Sequence, residues 1–283
     1  MPADTHYVAN RDPLARTAFI PLPLGAVKPR GWLKRQLGIQ AEGQTGHLDE
    51  FWGSLGPDSG WLGGTGESWE RGPYFMDGLI PLAYLLEDKK LIAKARKWVE
   101  WTLNSQDELG HFGPKTLTDW WPFGVILKVL TQHQEATGDR RVIPLMERFL
   151  TYMRRELPAR HLHSWAVMRW ADTVLSVIWL YNRNGDPALL DLADMLMRQG
   201  YNWSLHFELF GYTQKQSERF PLSTHVVNNG MAAKTPGVMY QLTRWDEHRN
   251  GAWRAIPLSR RCRSTSCCRG RAWPRRWSPG RPP

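Results

Sequence analysis

Residues 79–103, "LIPLAYLLEDKKLIAKARKWVEWTL", place an apolar run before a short polar turn centred on Asp88, then a second run whose apolar side chains return every three or four residues. Those steps put one stripe of a helix against a core, and an Asp just ahead of the second run is a preferred N-cap. The stretch therefore predicts a helical hairpin. The unit recurs at 126–153, at 174–200 and, less clearly, at 235–256, with turns centred on Asp139, Asp186 and Asp246. These turns lie 51, 47 and 60 residues apart, a spacing suited to stacked pairs of helices. Short turns fall at one end of the hairpins, and long connections rich in Trp, Gly, Pro and His fall at the other. The expected fold is all-α, a toroid of helical hairpins with its functional groups on the long-link end.

Outside the repeats, residues 1–65 predict a leading segment of one helix, weak in its middle, and loops. Residues 66–243 form the hairpin domain. Residues 244–283 change character: they hold 11 Arg, no Lys and two acids, so the net charge of +10 over 283 residues is concentrated there and the body is nearly neutral. This basic, Pro- and Arg-rich tail is expected to be disordered, and it reads as out-of-frame translation or a truncated gene product. The alternative is a true tail that binds nucleic acid or an anionic surface.

All three cysteines (Cys262, Cys267, Cys268) also lie in the tail, leaving the body without a thiol. No run of about 18 apolar residues occurs, and the N-terminus lacks the apolar core of a signal peptide, so the expectation is a cytoplasmic protein without a membrane partner. Gly63, Gly64 and Gly66 follow no predicted strand and precede no Lys-Ser/Thr, which excludes a phosphate loop. Sixteen tryptophans can serve a helical core or supply stacking faces for sugars or bases.

Three stretches concentrate chemistry. "ESWERGPYFMDGL" (67–79) brackets Arg71 with Glu67, Glu70 and Asp77 beside Trp69 and Tyr74. Either these acids cap a helix and pair with Arg71, or Glu70 and Asp77 bind sugar hydroxyls next to the two aromatic rings. "TDWWPFG" (118–124) sets Trp120 beside Trp121, and neighbours cannot both face one core. "HLHSWAVMRWADT" (161–173) carries His161, His163, Trp165, Arg169, Trp170 and Asp172; its His pair lacks the spacing of a helical metal clasp, so no metal site is expected. In "STHVVNNGMAAKTPGVMYQ" (223–241), His225, Asn228 and Asn229 precede a small-residue helix with Lys234, as a turn and cap or as readers of sugar hydroxyls.

Together, "PLPLGAVKPRGWLKRQL", "SGWLGGTGESWERGPYFMDGLIPLAYLL", "WWPFGVILKVLTQHQEATGD" and "THVVNNGMAAKTPGVMYQL" resemble the N-terminal part of the catalytic domain of bacterial β-L-arabinofuranosidase-like proteins, glycoside hydrolase family 127 and its relatives, over roughly residues 8–243. The resemblance implies an incomplete (α/α)6 barrel that acts on terminal L-arabinofuranose, or a related sugar, of plant-type glycans. In that family a zinc-held cysteine thiolate is the nucleophile and a Glu the acid/base. Those groups belong to later helices, in sequence that the tail replaces here, and the flanks of Cys267 and Cys268 do not match. The resemblance thus implies an inactive truncation, no cofactor in this chain, and a sugar-contacting position at His225. "WWPFGVILK" departs from the characterised enzymes, which place a His in that helix.

The candidate substrate-binding residues are Trp69, Glu70, Tyr74, Asp77, Trp120, Trp121, Trp170, His225 and Asn228, with carbohydrate as partner and self-association through uncovered hairpin flanks. Two other readings stand beside a glycosidase fragment: a noncatalytic carbohydrate-binding scaffold, and nucleic-acid binding through the Arg tail.

Overall fold

The computed structural model describes residues 7–209 and 221–261, with side chains described as far as residue 255. Among these residues the regular elements are helices, and no strand occurs. Three hairpins lie where the sequence places them: α3 (Arg71–Leu86) with α4 (Lys89–Asn104), α5 (Trp121–Thr137) with α6 (Val142–Glu156), and α7 (Ser164–Asn184) with α8 (Ala188–Gln199). Their turns use the expected chemistry. Asp88 caps α4 by accepting from the backbone N–H groups of Lys90 and Leu91 at 2.8 and 3.1 Å. Gly138 and Gly185 end α5 and α7 in the left-handed region, at φ 69° and 75°, where a Cβ is disfavoured.

The fourth pair is α11 (Thr235–Thr243) with α12 (Asp246–Arg261), so residues 246–261 correct the expectation of disorder from residue 244 onward. The reason is local and tertiary. Asp246 and Glu247 occupy the positive end of α12, Trp245 stacks on His248, and Ala255 is buried in a small core with Trp203 and Phe207 of α9 (Trp203–Glu208) and Ala232 of α10 (Val226–Ala232). The remainder of the predicted tail, 262–283, lies outside the described residues. In the leading segment the single expected helix is two, α1 (Gly31–Glu42) and α2 (Gln44–Phe51), broken at Gly43, whose ψ of −147° leaves the helical region.

Packing sorts the helices into two rows. α3 packs on α5 and α5 on α7, with α11 against α7, while α4, α6 and α8 sit outside their hairpin partners. This order is compatible with an incomplete (α/α)6 toroid. The inner helices are buried nearly all round. Between Gly72 and Ala83, α3 shows only Tyr74, Asp77, Gly78 and Pro81. Between Trp121 and His133, α5 shows only Lys128 and Gln132, and between Arg169 and Leu180, α7 shows only Asp172, Leu175 and Trp179. Each set recurs at helical steps, so each inner helix leaves one narrow stripe uncovered.

The leading segment crosses the C-terminal ends of the inner helices in turn. Gln241 of α11 and Asn182 of α7 both bond the side chain of Asn10, at 2.9 and 2.8 Å. Leu24 N–H then donates to Glu135 near the end of α5, and Lys28 donates to the Tyr84 carbonyl near the end of α3 at 3.1 Å. This belt fixes one end of the row and leaves the N-terminal ends, where the long links arrive, for other work.

Candidate functional site

At those N-terminal ends a buried arginine gathers side chains from four elements. Arg169, 7% exposed on the second turn of α7, lies between two indoles, with its guanidinium carbon 4.5 Å from the Trp121 ring centroid and 4.7 Å from that of Trp165. Its Nε donates to Asn228 Oδ1 at 2.8 Å, and one Nη donates to Tyr74 Oη at 3.3 Å and stands 3.7 Å from Glu70 Oε2. Trp121 Nε1 donates to that same Glu70 oxygen at 2.5 Å. A planar guanidinium with fixed donors suits such a clamp, since stacking holds its plane while the edges bond.

Glu70 occupies the N-cap position of α3, yet its side chain accepts no capping bond. Arg71 turns away to donate to Ser54 Oγ at 2.7 Å and covers the Trp52 ring. The capping and ion-pair alternative for this stretch is therefore not what the fold builds: the Glu70 carboxylate is held across helices by Trp121 and Arg169.

One turn further along α3 and α7, Asp77 accepts from Lys128 Nζ at 2.9 Å and Gln132 Nε2 at 3.0 Å, and Asp172 pairs with Lys234 Nζ at 3.0 Å. Burial pushes the Tyr74 phenol up to about 12, with Arg169 pulling the other way. Burial likewise raises the Asp172 carboxyl against the pull of Lys234, Lys128 and Arg169. Glu70, Asp77 and Asp172 thus balance Arg169, Lys128 and Lys234 along the uncovered stripes.

The sequence candidates separate into distinct places. Glu70, Tyr74 and Asp77 reach the uncovered surface of the inner row, and the partly exposed His225 sets its ring edge-on to Trp165 at 5.1 Å, with Nδ1 accepting from the Asn228 backbone N–H. Trp121, 2% exposed, and Asn228, fully buried, stand behind this surface and position Glu70 and Arg169; Trp121 shares one core with Trp120, so the two neighbours do both face it, contrary to the expectation. Trp69 is partly buried to one side, donating to Asp119 Oδ2 at 2.8 Å. Trp120 and Trp170 are core rings. Trp120 is 1% exposed, sandwiched against Arg160 with its Nε1 on the Arg160 carbonyl, and Trp170 is 2% exposed with its Nε1 on the Tyr201 carbonyl. Neither ring offers a face to a ligand: Trp120 lies under Arg160 of the next long link, and Trp170, within α7, is covered by Gly200 and Tyr201 beyond α8.

Trp165, Arg169, Asp172, Lys128 and Lys234 complete the cluster. The signal is charge inside an otherwise apolar helix: Lys128 alone in "GVILKVL", and Arg169 with Asp172 in "RWADTVL".

Among the described residues no three His, Cys, Asp or Glu side chains converge as metal ligands. The zinc that the resemblance implies needs thiolates, and every cysteine lies at 262 or beyond, so the described residues do not fit it. No helix is long and apolar enough to cross a membrane. Protein-family models, curated proteins and solved structures were each compared with the chain, and none matches.

Proposed function

We propose that this protein binds a terminal L-arabinofuranose, or a related sugar, of plant-type glycans in the opening between α3, α5 and α7. The observation that carries this reading is the clamp on Arg169. It gathers the Glu70 carboxylate, the Tyr74 phenol and the Trp165 indole around one guanidinium, so that polar and aromatic groups converge at one place. A sugar ring offers hydroxyls to the first two and C–H groups to the third. The likeness of the leading, Trp-Glu, Trp-Trp and His-Asn-Asn segments to the arabinofuranosidase-like family supports the choice of sugar.

The proposed activity is binding. No described side chain supplies the thiolate chemistry of that family, so none is assigned a bond-breaking step. Glu70 is an acceptor fixed by the Trp121 N–H and paired with the Arg169 charge. Isothermal titration with methyl β-L-arabinofuranoside tests the reading: saturable binding, insensitive to salt because no charge is neutralised, supports it. Binding only to nucleic acid with a steep salt dependence would replace it with the tail reading. Nitrophenyl β-L-arabinofuranoside is expected to release no nitrophenol, and measurable release would contradict the absence of turnover.

A further inference from the structure

The opening has a second layer. Asp77 and Asp172 each stand three residues beyond Tyr74 and Arg169, about 4.5 Å along the helix axes at a rise of about 1.5 Å per residue. That step is comparable with one sugar ring. The pair straddles the surface: the Asp172 side chain is only 19% exposed, while that of Lys234, at 36%, reaches solvent. Asp172 lies on the uncovered stripe of α7, and Lys234 reaches it from the N-cap of α11.

The pair is also unfinished. Asp172 gives Oδ1 to Lys234, while Oδ2 has no partner among the described residues and is not sealed from solvent. Lys234 spends one of three N–H donors on Asp172. An acceptor and donors thus lie side by side, which matches two adjacent hydroxyls: one donates to Oδ2 and its neighbour accepts from Nζ. The three acids and three bases around the site are equal in number, leaving no net charge to compensate a charged ligand.

Resting on the saccharide reading, we propose that the Asp172–Lys234 pair is the floor of this site and sets its specificity, holding adjacent hydroxyls of a neutral sugar and disfavouring uronic acids and amino sugars. Asp77, held by Lys128 and Gln132, forms the opposite wall of the same layer.

The test is titration calorimetry on the full chain with methyl β-L-arabinofuranoside, its 2-deoxy and 3-deoxy analogues, galacturonic acid and galactosamine. Asp172→Asn and Lys234→Met should each weaken the neutral glycoside about tenfold, the size expected of one charge-assisted bond. At least one deoxy analogue should lose a similar factor on the unaltered protein and little more on the variants. Both charged sugars should bind at least tenfold more weakly than the neutral glycoside. The charge-neutral double variant D172N/K234Q provides the same reading should a single variant fold poorly, and unfolding midpoints report that directly. Unchanged affinity in folded variants, or tightest binding of a charged sugar, would overturn the floor assignment while leaving the saccharide site standing. Absence of binding by every sugar in the panel would defeat the saccharide reading itself, and this inference with it.

Discussion

Glu70 and Trp121, 51 residues apart, are joined by a hydrogen bond of 2.5 Å from the indole Nε1 to the carboxylate Oε2. The bond crosses from the N-cap of α3 to the first residue of α5 and fixes an acid that would otherwise cap its own helix. Trp121→Phe keeps the ring on Arg169 but removes the donor. Thermal unfolding should show a loss of about 1–3 kcal/mol, because the carboxylate gives up a charge-assisted partner. Affinity for the arabinofuranoside should fall as Glu70 loses its orientation. An unchanged midpoint together with unchanged affinity would show that the bond holds nothing in place.

Arg169 should prove the keystone of the cluster. Arg169→Met leaves the fully buried Asn228 Oδ1 without its donor and Glu70 without its cation. The expected cost is about 2–4 kcal/mol in denaturant unfolding. Arg169→Lys should recover little of it, since an ammonium neither stacks between two indoles nor reaches Asn228 and Tyr74 together. Full rescue by lysine would mean that charge alone matters here.

Tryptophans of the two classes should respond oppositely. Trp120→Ala empties a core position among Phe123, Tyr152 and Arg160 and should cost about 3–5 kcal/mol. Trp165→Ala, at the rim, should weaken sugar binding while leaving more of the stability intact. Calorimetric binding and thermal melts on both variants separate the classes; equal effects on both measurements would remove the distinction.

Asn10 bonds the Ala15 carbonyl, Gln241 and Asn182, and so ties α11 to α7. Asn10→Ala should cost about 1–2 kcal/mol. Amide hydrogen exchange should rise in residues 235–243 more than in α3 or α5. Uniform exchange along the chain would show that the belt does not hold the trailing helices.

Acid should weaken the fold at the turn between α5 and α6. Arg141 donates to Asp139 and holds its carboxyl well below the usual carboxylate range, while burial lowers the His133 imidazole. Both folded-state values lie below the unfolded ones, so both groups contribute stability at neutral pH. His133 begins to lose its share below about pH 6.5 and Asp139 below about pH 4, each progressively toward its folded value. Asp139→Asn should flatten the lower part of the stability–pH curve; a curve that keeps its full slope would place the acid sensitivity elsewhere. Sugar affinity should fall in acid on separate grounds, because burial makes Asp172 take up its proton at higher pH than an ordinary carboxylate.

The hairpins were legible because their evidence is local. Asp88 caps the helix it precedes, and Gly138 and Gly185 end helices in a conformation that few other residues adopt. The site was legible in part. Glu70, Tyr74, Asp77 and His225 come from crowded stretches, but their partners lie up to 99 residues away, as Arg169 does from Glu70, and follow no period. Trp120 and Trp121 show the limit most plainly: two adjacent indoles that composition cannot tell apart, one packed under Arg160 and the other aimed at Glu70. The belt left no sequence signal, since much of it is bonding to backbone groups by an extended segment. The helix of residues 246–261 showed only as the weakest copy of the hairpin repeat, at 235–256, against the disorder that its arginines suggest.

The most direct measurement is a proton–nitrogen NMR titration of the indole N–H groups with methyl β-L-arabinofuranoside. Saturable shifts of the Trp121 and Trp165 signals, with Trp120 and Trp170 unmoved, are the result expected of a sugar held against the Arg169 clamp. Shifts confined to other tryptophans, or none at saturating glycoside, would contradict it.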